Sequence, residues 1–175
     1  MIVPLLVGAG VLVAGLFGYA ASRPNDFKIQ RKARVKATPE KVFSHINDFH
    51  RWEAWSPWEK LDPAMTKKHS GPASGKGAAY EWQGNKKVGK GRMEITEATS
   101  SRRVVIDLHF MEPWQARNTT EFLLEPAGNE TDVTWTMTGT NPFMMKLMGI
   151  FMNLDKAIGS DFEKGLTSLK TATEG

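Results

Sequence analysis

Cysteine is absent from this sequence of 175 residues. Disulfide bonds are therefore excluded, and so is thiolate chemistry at a catalytic or metal site. The absence fits a reducing compartment, and it equally fits a bacterial envelope protein whose fold needs no covalent cross-link. Cysteine usage therefore leaves the cellular location open.

Histidine is scarce, with four residues at positions 45, 50, 69 and 109. His45 and His50 are five residues apart, which misses the i, i+4 spacing that directs two imidazoles at one ion from a single helix. No acidic cluster with a recognised ligand spacing accompanies them, and serine nucleophile motifs and phosphate-binding loops are also absent. We therefore predict no metal ion, no cofactor and no assigned catalytic residue.

Charged residues are missing from the first 22 positions. Residues 2–21 supply the roughly 20 apolar residues that span a bilayer core of about 30 Å. Basic residues begin only at Arg23, whereas a cleaved secretory signal has a positive charge before its apolar core. We predict a transmembrane anchor over residues 1–22, with a cleaved signal peptide as the alternative.

The residues within and after the anchor suggest its partners. Gly10, Ala14 and Gly18 are four apart on one helical face, a pattern that allows a homodimer to form through the anchor. The net charge of +4 favours an anionic membrane surface, because the basic residues begin where the anchor ends. No nucleic-acid-binding motif accompanies these charges, so we predict no nucleic-acid partner.

A strand begins the domain that follows the anchor, which we place at residues 23–175. Apolar and charged residues alternate over residues 27–35, except at Arg31, as is typical of a half-buried strand. Thr38 is a good helix N-cap and Pro39 a good first helical residue, so a short helix should follow.

Residues 65–139 indicate successive antiparallel strands separated by turn residues. Alternation along each strand places one apolar set on a shared face: Tyr80, Trp82, Met93, Ile95, Val104, Ile106, Leu108, Phe110, Phe122, Leu124, Val133, Trp135 and Met137. Apolar residues at helical spacing over residues 154–169 predict one long amphipathic helix that covers this face. Glycines in and beside the strands favour bulges, so the sheet should curl around that helix.

Several short segments carry a resemblance to a known family, at residues 37–43, 55–58, 89–91 and 159–166. With them, nearly everything after the anchor resembles the START-like, or SRPBCC, superfamily and its bacterial polyketide cyclase/dehydrase-related proteins. The resemblance implies an α+β helix-grip fold, with a curved antiparallel sheet of seven strands around the C-terminal helix and a cavity for hydrophobic ligands. It implies no single activity, because members include lipid carriers, receptors, storage proteins and cyclases.

We predict that the ligand lies between the sheet and the C-terminal helix. The predicted ligand-binding residues are aromatic wall residues and methionines that act as a gate: Trp55, Tyr80, Trp82, Phe110, Trp135 and Phe162, with Met144, Met145 and Met148. Methionine adapts to changing partners, which suits a lid or a membrane-touching surface at residues 143–152. A wholly buried segment is the alternative there.

The predicted function is membrane-anchored binding or transfer of a hydrophobic small molecule or lipid, at the bacterial inner membrane. One alternative is a polyketide cyclase/dehydratase-like enzyme, which needs a buried ionisable group. The sequence offers none, because the register that buries the apolar set puts Glu81, Glu94 and Glu121 outside. The other alternative is a ligand-free envelope interaction module with a filled core.

Reporter fusions after Gly175 test the orientation of the anchor. The excess of Lys and Arg on its C-terminal flank predicts a cytoplasmic domain, so a reporter that works only in the cytoplasm should be active. Positive charge does not prevent the translocation of a folded domain, so a periplasmic domain is the alternative. Activity of a periplasm-dependent reporter at the same position would contradict the cytoplasmic assignment.

Overall fold

The computed structural model describes the backbone of residues 2–175 and the side chains of residues 10, 12 and 14–175. Within these residues, the helices are Ile2–Ser22 (α1), Pro39–Ile46 (α2), Phe143–Phe151 (α3) and Leu154–Glu174 (α4), with a 3₁₀ helix at Phe49–Ala54. The strands are Asp26–Val35 (β1), Thr66–Ser70 (β2), Ala79–Gln83 (β3), Lys90–Thr99 (β4), Arg103–Glu112 (β5), Ala116–Ala127 (β6) and Glu130–Thr140 (β7).

The strands form one antiparallel sheet in the order β1-β7-β6-β5-β4-β3-β2. Strands β2 to β7 follow one another as a meander, and β1 pairs with the last of them. Helices α2 and α4 contact each other, and α4 packs on β1. The predicted α+β helix-grip architecture, with seven strands and a long C-terminal helix, is therefore confirmed.

The predicted inner face of the sheet is correct. Its apolar residues belong to one core, with Met93, Leu108 and Phe110 partly buried at the margin. The ladder shifts register beside Gly91 and after Ile95, which are the bulges that curl the strands. A side chain at position 91 would overlap the indole ring of Trp82, so glycine is required there.

Aromatic rings fill the space between α4 and the middle of the sheet. Trp135 stacks on Phe162 with ring centroids 4.1 Å apart and an interplanar angle of 5°. Trp55 packs edge-on against Trp135 at 5.7 Å, and Phe122 lies 4.8 Å from Trp135. A Cβ atom at Gly165 would come within 2.7 Å of the Trp135 ring, so this glycine lets α4 approach the sheet closely.

Arg31, the exception to alternation in β1, reaches across to α4. Its Nε donates to Glu163 at 2.7 Å, and its Nη2 donates to the Asp155 carboxylate at 3.0 Å. A side chain at Gly159 would overlap the guanidinium, so α4 has a glycine where Arg31 passes. This clamp joins the edge strand of the sheet to the first half of the helix.

Residues 143–152 were predicted to form either a lid or membrane-touching surface, or a wholly buried segment. The wholly buried alternative is wrong, because no residue of α3 is buried and Phe151 is 74% exposed. Helix α3 packs against α1, with the rings of Phe17 and Phe143 5.5 Å apart.

The predicted anchor, residues 1–22, falls partly on side chains outside the described set. Among the side chains that are described, no helix combines the length and the apolar character that crossing a membrane requires.

Replacing Phe162 with alanine tests the aromatic core. Phe162 is 1% exposed, and loss of a buried phenylalanine costs about 3–5 kcal/mol, so Phe162→Ala should lower the free energy of unfolding by that amount in urea titrations. Phe151→Ala is the matched control, and its exposed ring predicts a change within about 0.5 kcal/mol. Equal effects of the two substitutions would contradict this account of the core.

Candidate functional site

A cavity of about 420 Å³ opens where β1, α3 and α4 meet, and we call it the β1–α3–α4 groove. Most of its lining is apolar: Phe27, Ile29, Met145, Ile150, Phe151, Met152, Leu154 and Ile158. The remaining lining residues are Arg23, Lys28, Asn141, Gly149, Asn153 and Asp155. Small-molecule sites have volumes of roughly 300–1,000 Å³ and mostly apolar walls with a few polar groups, and the groove has both properties.

Local sequence explains how the groove forms. The inward positions of β1 supply Phe27 and Ile29, and Leu154 and Ile158 lie one turn apart on α4. Asn153 caps α4, because its side-chain oxygen accepts a hydrogen bond from the backbone N–H of Lys156 at 2.9 Å. The break between α3 and α4 at this cap lets the apolar side of α3 form one wall.

Two of the three charged side chains that line the groove, Asp155 and Arg23, have different surroundings. Hydrogen bonding to Arg31 lowers the pKa of Asp155, so this carboxylate is ionised and already bound. The half-buried Arg23 lies across α3, where a Cβ atom on Gly149 would be 3.3 Å from its Nη1.

The residues predicted to bind ligand are divided between two places. Five of the aromatic residues are buried in the core: Trp55, Tyr80, Trp82, Trp135 and Phe162. Trp55 and Phe162 contact Trp135, whereas Tyr80 and the half-buried Phe110 contact Trp82. Met145 lines the groove, while Met144 and Met148 are exposed on the same helix. Ligand contact by the aromatic set stays a prediction. Apart from Met145, the groove is formed by residues that were not predicted to bind ligand.

A polar cluster lies at the opposite side of the inner face, beside the edge strand β2. The side chain of Glu59 is 6% exposed, and it accepts a hydrogen bond from the Tyr80 hydroxyl at 2.7 Å. Lys67 Nζ lies 2.5 Å from the other Glu59 oxygen. Burial, and then the bond to Glu59, raise the pKa of Tyr80. Glu59 is therefore a buried ionisable group that the sequence pattern did not identify.

Sequence reasoning missed Glu59 because this residue lies in the loop between the 3₁₀ helix and β2. Loops have no period of alternation, so nothing local signals that a loop carboxylate is buried. The inward positions of Lys67 and His69 on β2 were the available signal, since both pair with apolar inner-face residues of β3.

Two histidines form the boundary of this cluster. The rings of His50 and His69 stack at 4.1 Å, and His69 lies 5.0 Å from the Tyr80 ring. Burial, and then the charge of His50, lower the pKa of His69. Both histidines line a cleft of about 280 Å³. Within the part of the chain that is described, no three His, Asp or Glu side chains form a metal-binding group.

Comparisons with known proteins agree with this architecture. The family model described as "Polyketide cyclase / dehydrase and lipid transport" matches residues 26–174. A crystal structure from Chromobacterium violaceum superposes with a TM-score of 0.61 at 16% identity, over 87% of this chain and 99% of the other. The solution structure of the Aha1 dimer from Colwellia psychrerythraea has a TM-score of 0.61 at 21% identity, over 85% and 96%. These identities establish the fold alone, and comparison with curated proteins finds no match.

Acidification tests the surroundings of His69. Its lowered pKa means that, below the ordinary value of 6.5, the unfolded chain binds a proton that the folded chain does not. Folding stability should therefore fall as the pH drops from 7 through 6, and it should fall less in His69→Gln. Melting temperatures across this range measure the effect, with the exposed His109→Gln as control. Identical pH profiles for wild type and His69→Gln would contradict this prediction.

Proposed function

Because this chain belongs to the polyketide cyclase / dehydrase and lipid transport family, we propose that it is a membrane-tethered protein that binds or transfers an apolar small molecule or lipid. The β1–α3–α4 groove is the observation that carries the proposal. Arg23, the first residue after α1, belongs to its lining, so the groove opens beside the end of the proposed tether. A ligand that leaves a bilayer there reaches apolar walls with little exposure to water.

The distribution of exposed apolar side chains supports contact with a lipid surface next to the groove. Eight of the eleven large apolar side chains that are exposed in the described part of the chain lie on α1, on α3 or at Met152, which ends α3. Concentrated apolar surface of this kind marks contact with a membrane or a protein. Contact with lipid also suits the proposed gate on α3, because Met145 faces the groove while Met144 and Met148 are exposed.

The tether at residues 1–22 and the domain at residues 23–175 are part of the same proposal, on the cytoplasmic side of a bacterial inner membrane. Helix formation over Ile2–Ser22 and the basic residues from Arg23 onward support it. Pairing of two copies through α1 is also proposed. A Cβ atom at Gly10 or Gly18 would meet nothing within 4 Å in the same chain, so this face is open to a partner helix.

A polar substitution in the groove tests the binding site. Ile158→Gln should weaken binding of a fluorescent apolar probe about tenfold, because burial of an apolar side chain contributes about 1.5–3 kcal/mol. Leu123→Gln makes the same kind of change at an exposed position on β6 and should leave binding unchanged. Circular dichroism of both variants checks folding. Equal affinities in wild type and folded Ile158→Gln would remove the groove as the site.

A second candidate function, acid–base catalysis of cyclase or dehydratase type, is favoured by the buried Glu59. This carboxylate is within hydrogen-bond reach of a proton donor, Tyr80, and close to a cation, Lys67. A general base must lie within hydrogen-bond reach of the proton that it abstracts, and a positioned carboxylate is one of the groups that fill this role.

Mass spectrometry of compounds extracted with the purified protein separates the two functions. Carriage predicts a molecule that is recovered unchanged after incubation with wild type. Catalysis predicts that wild type converts the molecule, and that Glu59→Gln slows conversion by at least about 100-fold while retaining binding. Conversion at the wild-type rate by Glu59→Gln would exclude Glu59 as the base.

A further inference from the structure

We propose that the ligand of the β1–α3–α4 groove is a single-tailed anionic amphiphile whose charged head binds the Arg23 guanidinium. This inference rests on the proposed function and narrows its ligand to one chemical class. The tail would lie along the apolar floor formed by Phe27, Ile29, Leu154 and Ile158. The head would be a carboxylate or a phosphate.

The surroundings of Arg23 set it apart from the other arginines. Of eight arginines in the sequence, six lie within 4.0 Å of a carboxylate oxygen: Arg31, Arg34, Arg51, Arg92, Arg103 and Arg117. Neither of the other two, Arg102 and Arg23, has such a partner within the described residues. Arg102 is exposed in the turn between β4 and β5, whereas Arg23 is half-buried beside an apolar cavity. A guanidinium in such a place gains most from an anionic partner.

The nearby acidic group does not neutralise Arg23. Asp155 lines the same groove, but both of its oxygens accept hydrogen bonds from Arg31, at 3.2 and 3.0 Å. Lys146, on the same helix as Gly149, points to the side-chain oxygen of Asn25 and adds positive charge. The end of the groove next to α1 therefore has positive charge that no carboxylate compensates within the described residues.

Geometry also favours an anionic head with two oxygens that accept hydrogen bonds side by side. The glycine at position 149 leaves α3 without a side chain where Arg23 crosses it, so the guanidinium lies close to the helix. Guanidinium groups bind carboxylates and phosphates through two parallel hydrogen bonds, and they stay charged at every physiological pH. Head-group recognition at Arg23 should therefore show no pH dependence from the protein side.

Two probes with the same tail and different heads test the inference. Displacement of a fluorescent apolar probe from the full chain in non-ionic detergent is measured with hexadecanoate and with hexadecanol. Wild type should bind hexadecanoate about tenfold more tightly, because charge-assisted hydrogen bonds are stronger than neutral ones. Arg23→Gln should lose this preference and keep its affinity for hexadecanol, which also verifies that it is folded. Hexadecyl phosphate, as a third probe, distinguishes a lipid phosphate from a carboxylate.

Lys32→Gln is the matched control, since it removes one positive charge from the exposed side of β1. It should leave the preference for hexadecanoate unchanged, and an equal loss in both variants would overturn the inference. Equal affinity of wild type for all three probes would also overturn it, while leaving the proposed function intact. Failure of wild type to bind any probe would contradict both the inference and the proposed function.

Discussion

The contact between α4 and the sheet is the constraint on which the rest of the structure depends. Two features hold it: the stack of Phe162 on Trp135, and the clamp of Arg31 on Asp155 and Glu163. Both require glycine on the helix, at Gly165 and Gly159, since any larger residue would meet the ring or the guanidinium. The absence of a side chain at Gly159 and Gly165 is therefore as important for the close approach of helix and sheet as the apolar side chains of α4 are.

This close approach decides where space is left for a ligand. Aromatic rings occupy the space between α4 and the middle of the sheet, and the 420 Å³ groove lies where α4 begins, between β1 and α3. That end of the domain also receives α1 and shows the exposed apolar surface of α3. A groove, a lipid-compatible surface and a proposed tether thus meet at one end, which is the arrangement that a carrier of membrane-derived molecules needs.

Charged groups lie at both edges of the sheet's inner face, and they have different roles there. Arg31 on β1 binds the helix, whereas the buried Glu59 pairs with the partly exposed Lys67 beside the opposite edge strand. Such a pair gives little net stability, because desolvation of Glu59 offsets the attraction between the charges. The β1–α3–α4 groove and the Glu59–Lys67 pair therefore lie at separate places in the domain, and the proposed binding and the proposed acid–base chemistry each have a different environment.

The sequence by itself determined the strands and their inner face, the capped helix α2 at Thr38 and the long helix α4, because each follows from a local period or a local cap. Alternation identified Trp82, Phe122 and Trp135 as core residues, since burial repeats every second residue along a strand. Only the tertiary structure decided that these rings fill the grip, that Arg31 meets partners 124 and 132 residues away, and that the groove lies beside α3. Empty volume depends on side chains from distant segments meeting in three dimensions, and no local pattern records how completely they fill the space between them.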